Sequence, residues 1–292
     1  MRRIIYFALS SFCLCVNAQT IQFIDKLDNT PVSFASVSWN NGGTFTDESG
    51  TIVLGTDDVK QIRFSHICYN DTTIRPLKGM QKVYVTPKAY TLDNIEICAK
   101  ERKRIKLRSI GLSNLKSESG FGGKNGMEMA LYIGNHKAEE TTYIHNIQAC
   151  LDFINGEIKN RNIIDAELRF DIRDCVIRNG NYFPGNKSYI HGGVLYRGVK
   201  KSGLKKIPLL QPIVFPKEGV FVTIEWICPG KKINDITNAG IMATVQAPKV
   251  ETYIKESGKW LLIQDRDFEK KFSQEYLKGK YRNIKIGLQV SK

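Results

Sequence analysis

Ala166-Glu167-Leu168-Arg169-Phe170-Asp171-Ile172 alternates apolar and charged side chains without a break. Successive side chains of a strand point to opposite faces, so this period of two puts the apolar residues on one side of a sheet and three charges on the other. A helix would scatter the same residues around its circumference. The stretch therefore predicts a strand with one buried and one wet face. Phe221-Val222-Thr223-Ile224-Glu225-Trp226-Ile227 is more continuously apolar and predicts a central strand.

The pattern extends through 124–292. Strand-like runs fall at 127–133, 143–153, 164–172, 193–196, 220–228, 241–246, 252–254, 260–264 and 284–290. About nine strands suit a jelly-roll-like β-sandwich. One short helix is expected over 267–278, where Phe268, Phe272 and Tyr276 recur on one face. Such a stripe is expected to pack on the core.

Residues 19–99 repeat the strand signal on a smaller scale. Apolar runs at 21–24, 34–39, 51–54, 61–67, 82–85 and 95–98 are separated by turn chemistry such as Asp28-Asn29-Thr30-Pro31, Asn41-Gly42-Gly43 and Glu48-Ser49-Gly50. Ala35, Val37 and Trp39 alternate with Ser36 and Ser38, so a small antiparallel sandwich is expected. The fold class is all-β.

The order of these pieces is specific. Asp28 to Pro31 is followed by Phe34-Ala35-Ser36-Val37, Thr46-Asp47-Glu48-Ser49-Gly50, Ile62-Arg63-Phe64-Ser65-His66-Ile67-Cys68-Tyr69, Val83-Tyr84-Val85-Thr86-Pro87 and Leu92-Asp93-Asn94-Ile95-Glu96-Ile97. This resembles the carboxypeptidase regulatory-like domain, a transthyretin-like sandwich common at the start of exported Bacteroidetes proteins. Cys68 stands where that family usually has Gly, and Thr86 replaces a common apolar residue. The resemblance implies a non-catalytic module. In TonB-dependent receptors such a domain precedes a barrel. A 22-stranded barrel needs about 200 residues for its strands alone, more than this chain has after Cys98, so no such receptor is expected. The pieces Leu168-Arg169-Phe170-Asp171-Ile172, Ile213 to Val222 and Glu225-Trp226-Ile227 look like the C-terminal part of other Bacteroidetes proteins that carry the regulatory-like domain, and imply no activity.

The N-terminus predicts export. Arg2 and Arg3 precede an apolar run over 4–16, and Val16 and Ala18 put small side chains at positions −3 and −1 of a cleavage site, so 1–18 reads as a signal peptide. The run is short for a bilayer span, which needs ~20 apolar residues. Phe12 and Leu14, bulky side chains directly before Cys13 and Cys15, argue against lipidation. Downstream no second apolar stretch approaches ~18 residues, so no transmembrane helix is expected in the mature chain. Cleavage takes away two arginines, lowering the net charge from +14 to +12. In an exported protein that surplus faces anionic lipid, acidic glycan or solvent rather than nucleic acid.

Residues 100–123 read as a basic Ser/Gly linker. Lys100, Arg102, Lys103 and Arg104 open it and offer peripheral contact with anionic lipid, while the Gly120 to Gly126 stretch reads as a hinge. After cleavage Cys68, Cys98, Cys150, Cys175 and Cys228 remain, none in a C-x-x-C pair. Each lies in an apolar run, so buried thiols are expected, with a Cys150–Cys175 bridge as the alternative.

Catalytic motifs are missing. His66, His136, His145 and His191 lack metal-binding spacing, and neither H-E-x-x-H nor G-x-S-x-G occurs. Asp171 with Glu225 is the best carboxylate pair for glycoside hydrolysis, against the expectation that both face solvent. Asp25, Asp28, Asp47 and Glu48 read as turn residues rather than calcium ligands. Asp71-Thr72-Thr73 resembles a Bacteroidetes O-glycosylation acceptor, with Thr72 expected on a surface loop. The expected function is an exported, non-catalytic binding or scaffolding protein of the periplasm or outer membrane, with no metal or cofactor and with an envelope protein or glycan as partner. The alternative is a glycan-binding module using Trp39, Trp226, Trp260 and Tyr182, and the third reading is a cryptic hydrolase.

Overall fold

The computed structural model describes residues 19–40, 42–55, 59–77, 79–88, 105–136, 140–154, 163–190 and 192–292. The expected signal peptide, the strand over 95–98, Cys98, His191 and the lipid-contact residues Lys100, Arg102, Lys103 and Arg104 lie outside them.

The first module holds β1 (Gln19–Asp25), β2 (Ser36–Trp39), β3 (Gly42–Phe45), β4 (Thr51–Leu54), β5 (Ile62–His66), β6 (Tyr69–Ile74) and β7 (Met80–Val85). A three-stranded sheet, β4-β1-β7, faces a four-stranded one, β3-β2-β5-β6. Inward residues at alternate positions, among them Ile21, Phe23, Val37, Ile62, Phe64 and Val85, form the core, and the rings of Phe23 and Phe64 stack at 4.7 Å. The sandwich departs from the antiparallel expectation at one pair, since β1 and β7 run parallel. β6 was not legible in the sequence because Asn70-Asp71-Thr72-Thr73 is wholly polar, as suits an edge strand.

The second module holds β8 (Arg108–Gly111), β9 (Ser119–Lys124), β10 (Glu128–Ile133), β11 (Tyr143–Phe153), β12 (Glu167–Arg178), β13 (Asn181–Ser188), β14 (Val194–Arg197), β15 (Gly203–Val214), β16 (Val220–Ile227), β17 (Ile236–Thr244), β18 (Thr252–Glu256), β19 (Lys259–Leu262), α1 (Asp267–Tyr276), β20 (Asn283–Ile284) and β21 (Ile286–Ser291). They make two seven-stranded sheets. The first runs β13-β12-β16-β10-β18-β19 with β14 beside β12. The second runs β20-β17-β11-β21-β8 with β15 beside β11 and β9 beside β17. Leu168, Phe170 and Ile172 point into the shared core with Val222, Ile224 and Trp226, as the alternation predicts. No helix among the described residues is long and apolar enough to cross a membrane.

Three expectations are corrected. The linker over 100–123 carries two paired strands, β8 against β21 and β9 against β17, joined by a turn over 112–118. Within the expected hinge Gly123 serves packing, because a Cβ there would lie 1.9 Å from the Trp226 indole nitrogen, while Gly122 has open space around it. Phe268 and Tyr276 of the α1 stripe face outward, 62 % and 69 % exposed, while Phe272 between them is half-buried. The helix buries Glu269 and Ser273 instead. Glu269 pairs with Arg282, whose guanidinium lies 4.0 Å from the Phe121 ring centre and 4.4 Å from that of Phe272. A buried ion pair stacked between Phe121 and Phe272 therefore takes the inward position in place of Phe268 and Tyr276.

Candidate functional site at the seam between the modules

The two sandwiches meet along the outward face of β12 and β16. One latch is a loop of the first module. Thr46, wholly buried, donates its hydroxyl to Val32 O at 2.8 Å and accepts from Ala35 N at 2.9 Å, fixing the intervening turn. Within it Phe34 takes φ +57°, a left-handed conformation that a bulky residue adopts only when its surroundings hold it there. Its ring joins Phe45, Ile227 and Ile233, and its carbonyl accepts from Arg169 Nη1 at 3.1 Å.

The second latch comes from the other module. Asn125 is completely buried, donates to the carbonyls of Cys228, Lys231 and Lys232, and accepts from Cys228 N at 2.8 Å. That shapes the loop after β16, which presents Ile233 to Phe34 and Phe45. Thr44 Oγ1 donates to Lys231 O at 3.4 Å across the same boundary.

The third latch is the tip of the β5–β6 hairpin. Gly192 N donates to Cys68 Sγ at 2.9 Å, and Cys68 N donates to Nδ1 of His66 at 3.2 Å. Burial pushes the Cys68 thiol above its ordinary range, so it stays protonated rather than nucleophilic. Tyr69 donates to Asp25 Oδ2 at 2.7 Å, and its own ionisation is pushed upward by burial and by that carboxylate. Around these groups lies a cavity of about 210 Å³, walled by Ser33, Phe34, His66, Cys68, Arg169 and Gly193 among others. A larger open hollow of about 670 Å³ lies beside Lys231, Lys232 and Asp235, away from these groups.

Beneath the seam the outward face of β12 carries a buried ionic cluster. Arg169 donates through Nε and Nη2 to Glu225 Oε2 at 3.0 and 2.6 Å. Arg173 Nη2 lies 2.8 Å from Glu128 Oε1 and its Nε 3.4 Å from Asp171 Oδ2. Lys255 Nζ reaches Glu128 Oε2 at 2.7 Å. Burial works to raise Glu128, yet Arg173 and Lys255 together hold it at about 2. Asp171 is raised to about 6 because burial outweighs the pull of Arg173.

These placements bear on several expectations. Asp171 and Glu225 lie on one outward face, but Asp171 is only 2 % exposed, and both are ion-paired rather than solvent-facing. The first module covers the Arg169 end of that face, a tertiary fact that alternation cannot show. Trp226 is fully buried and donates Nε1 to Ala239 O at 2.7 Å. Trp39 packs on the first core and over Gly42, Trp260 lies against Arg173 and Lys255, and Tyr182 stacks on Tyr132 at 4.4 Å. Trp39 and Trp226 thus lie in separate cores, whereas Tyr182 and Trp260 both pack against the cluster of Ala130, Phe221 and Tyr253. Thr72 sits in edge strand β6, not a loop, and its hydroxyl donates to Asn70 O. Cys150 and Cys175 are free thiols, so the alternative bridge is absent. His145 meets Ser291 Oγ at 2.8 Å, and Asp25, Asp28 and Asp47 accept bonds from their own turns. Among the described residues no acidic, His and Cys groups gather as a metal site.

Sequence reasoning did not single out Phe34, Asn125 or Ile233, since nothing local distinguishes a seam residue from a core or turn residue. No protein-family model matches the chain, and no curated protein matches it.

Proposed function

We propose that the chain is an exported, non-catalytic binding or scaffolding protein of the bacterial cell envelope, its first module a carboxypeptidase regulatory-like domain. The observation that carries this reading is how the seam spends its chemistry. Arg169, Glu225, Glu128, Arg173, Cys68 and Tyr69 are each committed to another protein group, and Arg169 and Cys68 fasten one module to the other. Cys68 and His66 border one cavity, but the imidazole Nδ1 accepts from the Cys68 backbone N–H and burial keeps the thiol protonated, which does not favour the activated nucleophile that catalysis by attack requires. The three- and four-stranded sheets support a transthyretin-like module. Gln19, the first residue after the expected cleavage point, is already buried and paired with Leu54, which supports maturation there.

Fractionation of producing cells with mass spectrometry of the N-terminus tests export: the expected product begins at Gln19 in the envelope fraction. Cytoplasmic protein that retains Met1 overturns it. Glycoside turnover that disappears with Asp171→Asn or Glu225→Gln in a folded protein overturns the non-catalytic part.

A further inference from the structure

Strand β15 is an edge strand interrupted at its middle. Ile144 of β11 faces Ile213, whereas Asn146 faces Pro208, so four residues of β15 stand against His145 alone. Leu209 turns inward to the core, and Leu210 turns outward with 106 % exposure, as open as in an isolated peptide. Pro208 and Pro212 bracket this crest, both exposed. Leu204 and Val214, also exposed, continue the strip along the same strand.

The charge along this stretch of chain has one sign, although Asp152 of β11 accepts from Ser202 beside Lys201. From Tyr196 to Lys217 the chain has six basic residues and no acidic one. Arg197 is committed to Glu48 and Glu167, while Lys200, Lys201, Lys205, Lys206 and Lys217 form no ion pair among the described residues. At the ends of the strip Glu140 is paired with Lys292, and Glu218 follows Lys217.

We infer that this strip docks on an anionic lipid bilayer, with Leu210 entering the interface and the lysines meeting headgroup phosphates. An apolar tip among uncompensated cations matches both layers of such a surface. Strand addition by a protein partner fits less well: the prolines lack N–H donors and the bulge breaks the ladder, which are the devices that blunt an edge. The inference concerns a surface away from the seam and does not depend on the export reading.

The test is cosedimentation of the purified chain with vesicles of phosphatidylcholine alone or mixed with phosphatidylglycerol. Residues 1–18, if retained, are common to every variant and cancel in the comparison. Binding is expected only to the mixed vesicles and is expected to weaken with salt. Leu210→Ser should lower it about tenfold, and Lys205→Glu with Lys206→Glu about tenfold or more. Thermal melting establishes that both variants are folded. Equal binding to neutral vesicles, no binding to the mixed ones, or binding unchanged in both folded variants overturns the inference. Self-association or strand-peptide capture through β15 without vesicle binding overturns it as well.

Discussion

Gly123 backs onto the indole of Trp226 so closely that a Cβ there would fall 1.9 Å from Nε1 and 2.2 Å from the carbonyl of Ala239. That carbonyl accepts the indole N–H at 2.7 Å. Glycine is therefore a packing requirement at this point of β9. Gly123→Ala should push the strand away and strand a buried donor, costing about 3 kcal/mol. Urea denaturation followed by tryptophan fluorescence measures it. A loss below about 1 kcal/mol would show that β9 yields easily.

Arg169 joins the modules by holding Glu225 while donating to Phe34 O. Arg169→Met should leave Glu225 half-desolvated without its partner and destabilise the protein by about 3 kcal/mol. Restoring neutrality with Glu225→Gln in the same chain should recover part of that loss. Limited proteolysis should also cut between the modules faster, because the Phe34 turn loses a tether.

Asp171 gives the seam a pH dependence. Its folded value of about 6 lies above the ordinary 3.8, so the folded state binds this proton more tightly than the unfolded chain. Its stabilising contribution is complete below about 4 and declines as pH rises through 6. Glu128, held at about 2 against 4.5, contributes in the opposite sense and loses its share as pH falls through that range. Asp171→Asn should therefore narrow its stability deficit, or become the more stable protein, as pH rises from 4 to 7. Denaturation midpoints of both proteins across that interval test the sign. A constant difference would refute it.

Arg282 lies between Phe121 and Phe272 while pairing with Glu269. Lysine keeps the charge but lacks the plane that stacks and the fork that binds a carboxylate twice. Arg282→Lys should cost about 2 kcal/mol and speed amide exchange across α1 with little change in the β-sheet amides.

Much of the fold was open to sequence reading because a period of two is a local property. Leu168, Phe170 and Ile172 entered the core as alternation requires, and α1 formed where the periodicity placed it. β13 and β15 escaped notice because Pro184, Gly185, Pro208 and Pro212 interrupt them, and those residues ordinarily argue against strand. β9 escaped because its glycines imitate a flexible tether.

The sequence by itself determined an all-β chain with two modules and the inward face of most strands, since each follows from neighbouring residues. Only the tertiary structure decided what covers the outward faces. It set the Phe34 turn and the Cys68 hairpin on the charged side of β12, and so made Asp171 and Glu225 buried partners of arginine instead of solvent-facing carboxylates. It also put Glu269 rather than the aromatic stripe under α1. The physical reason is common to both: alternation and helical period specify that a residue has two sides to choose between. Which side is desolvated depends on partners up to 135 positions away, where the compensating charge or carbonyl resides.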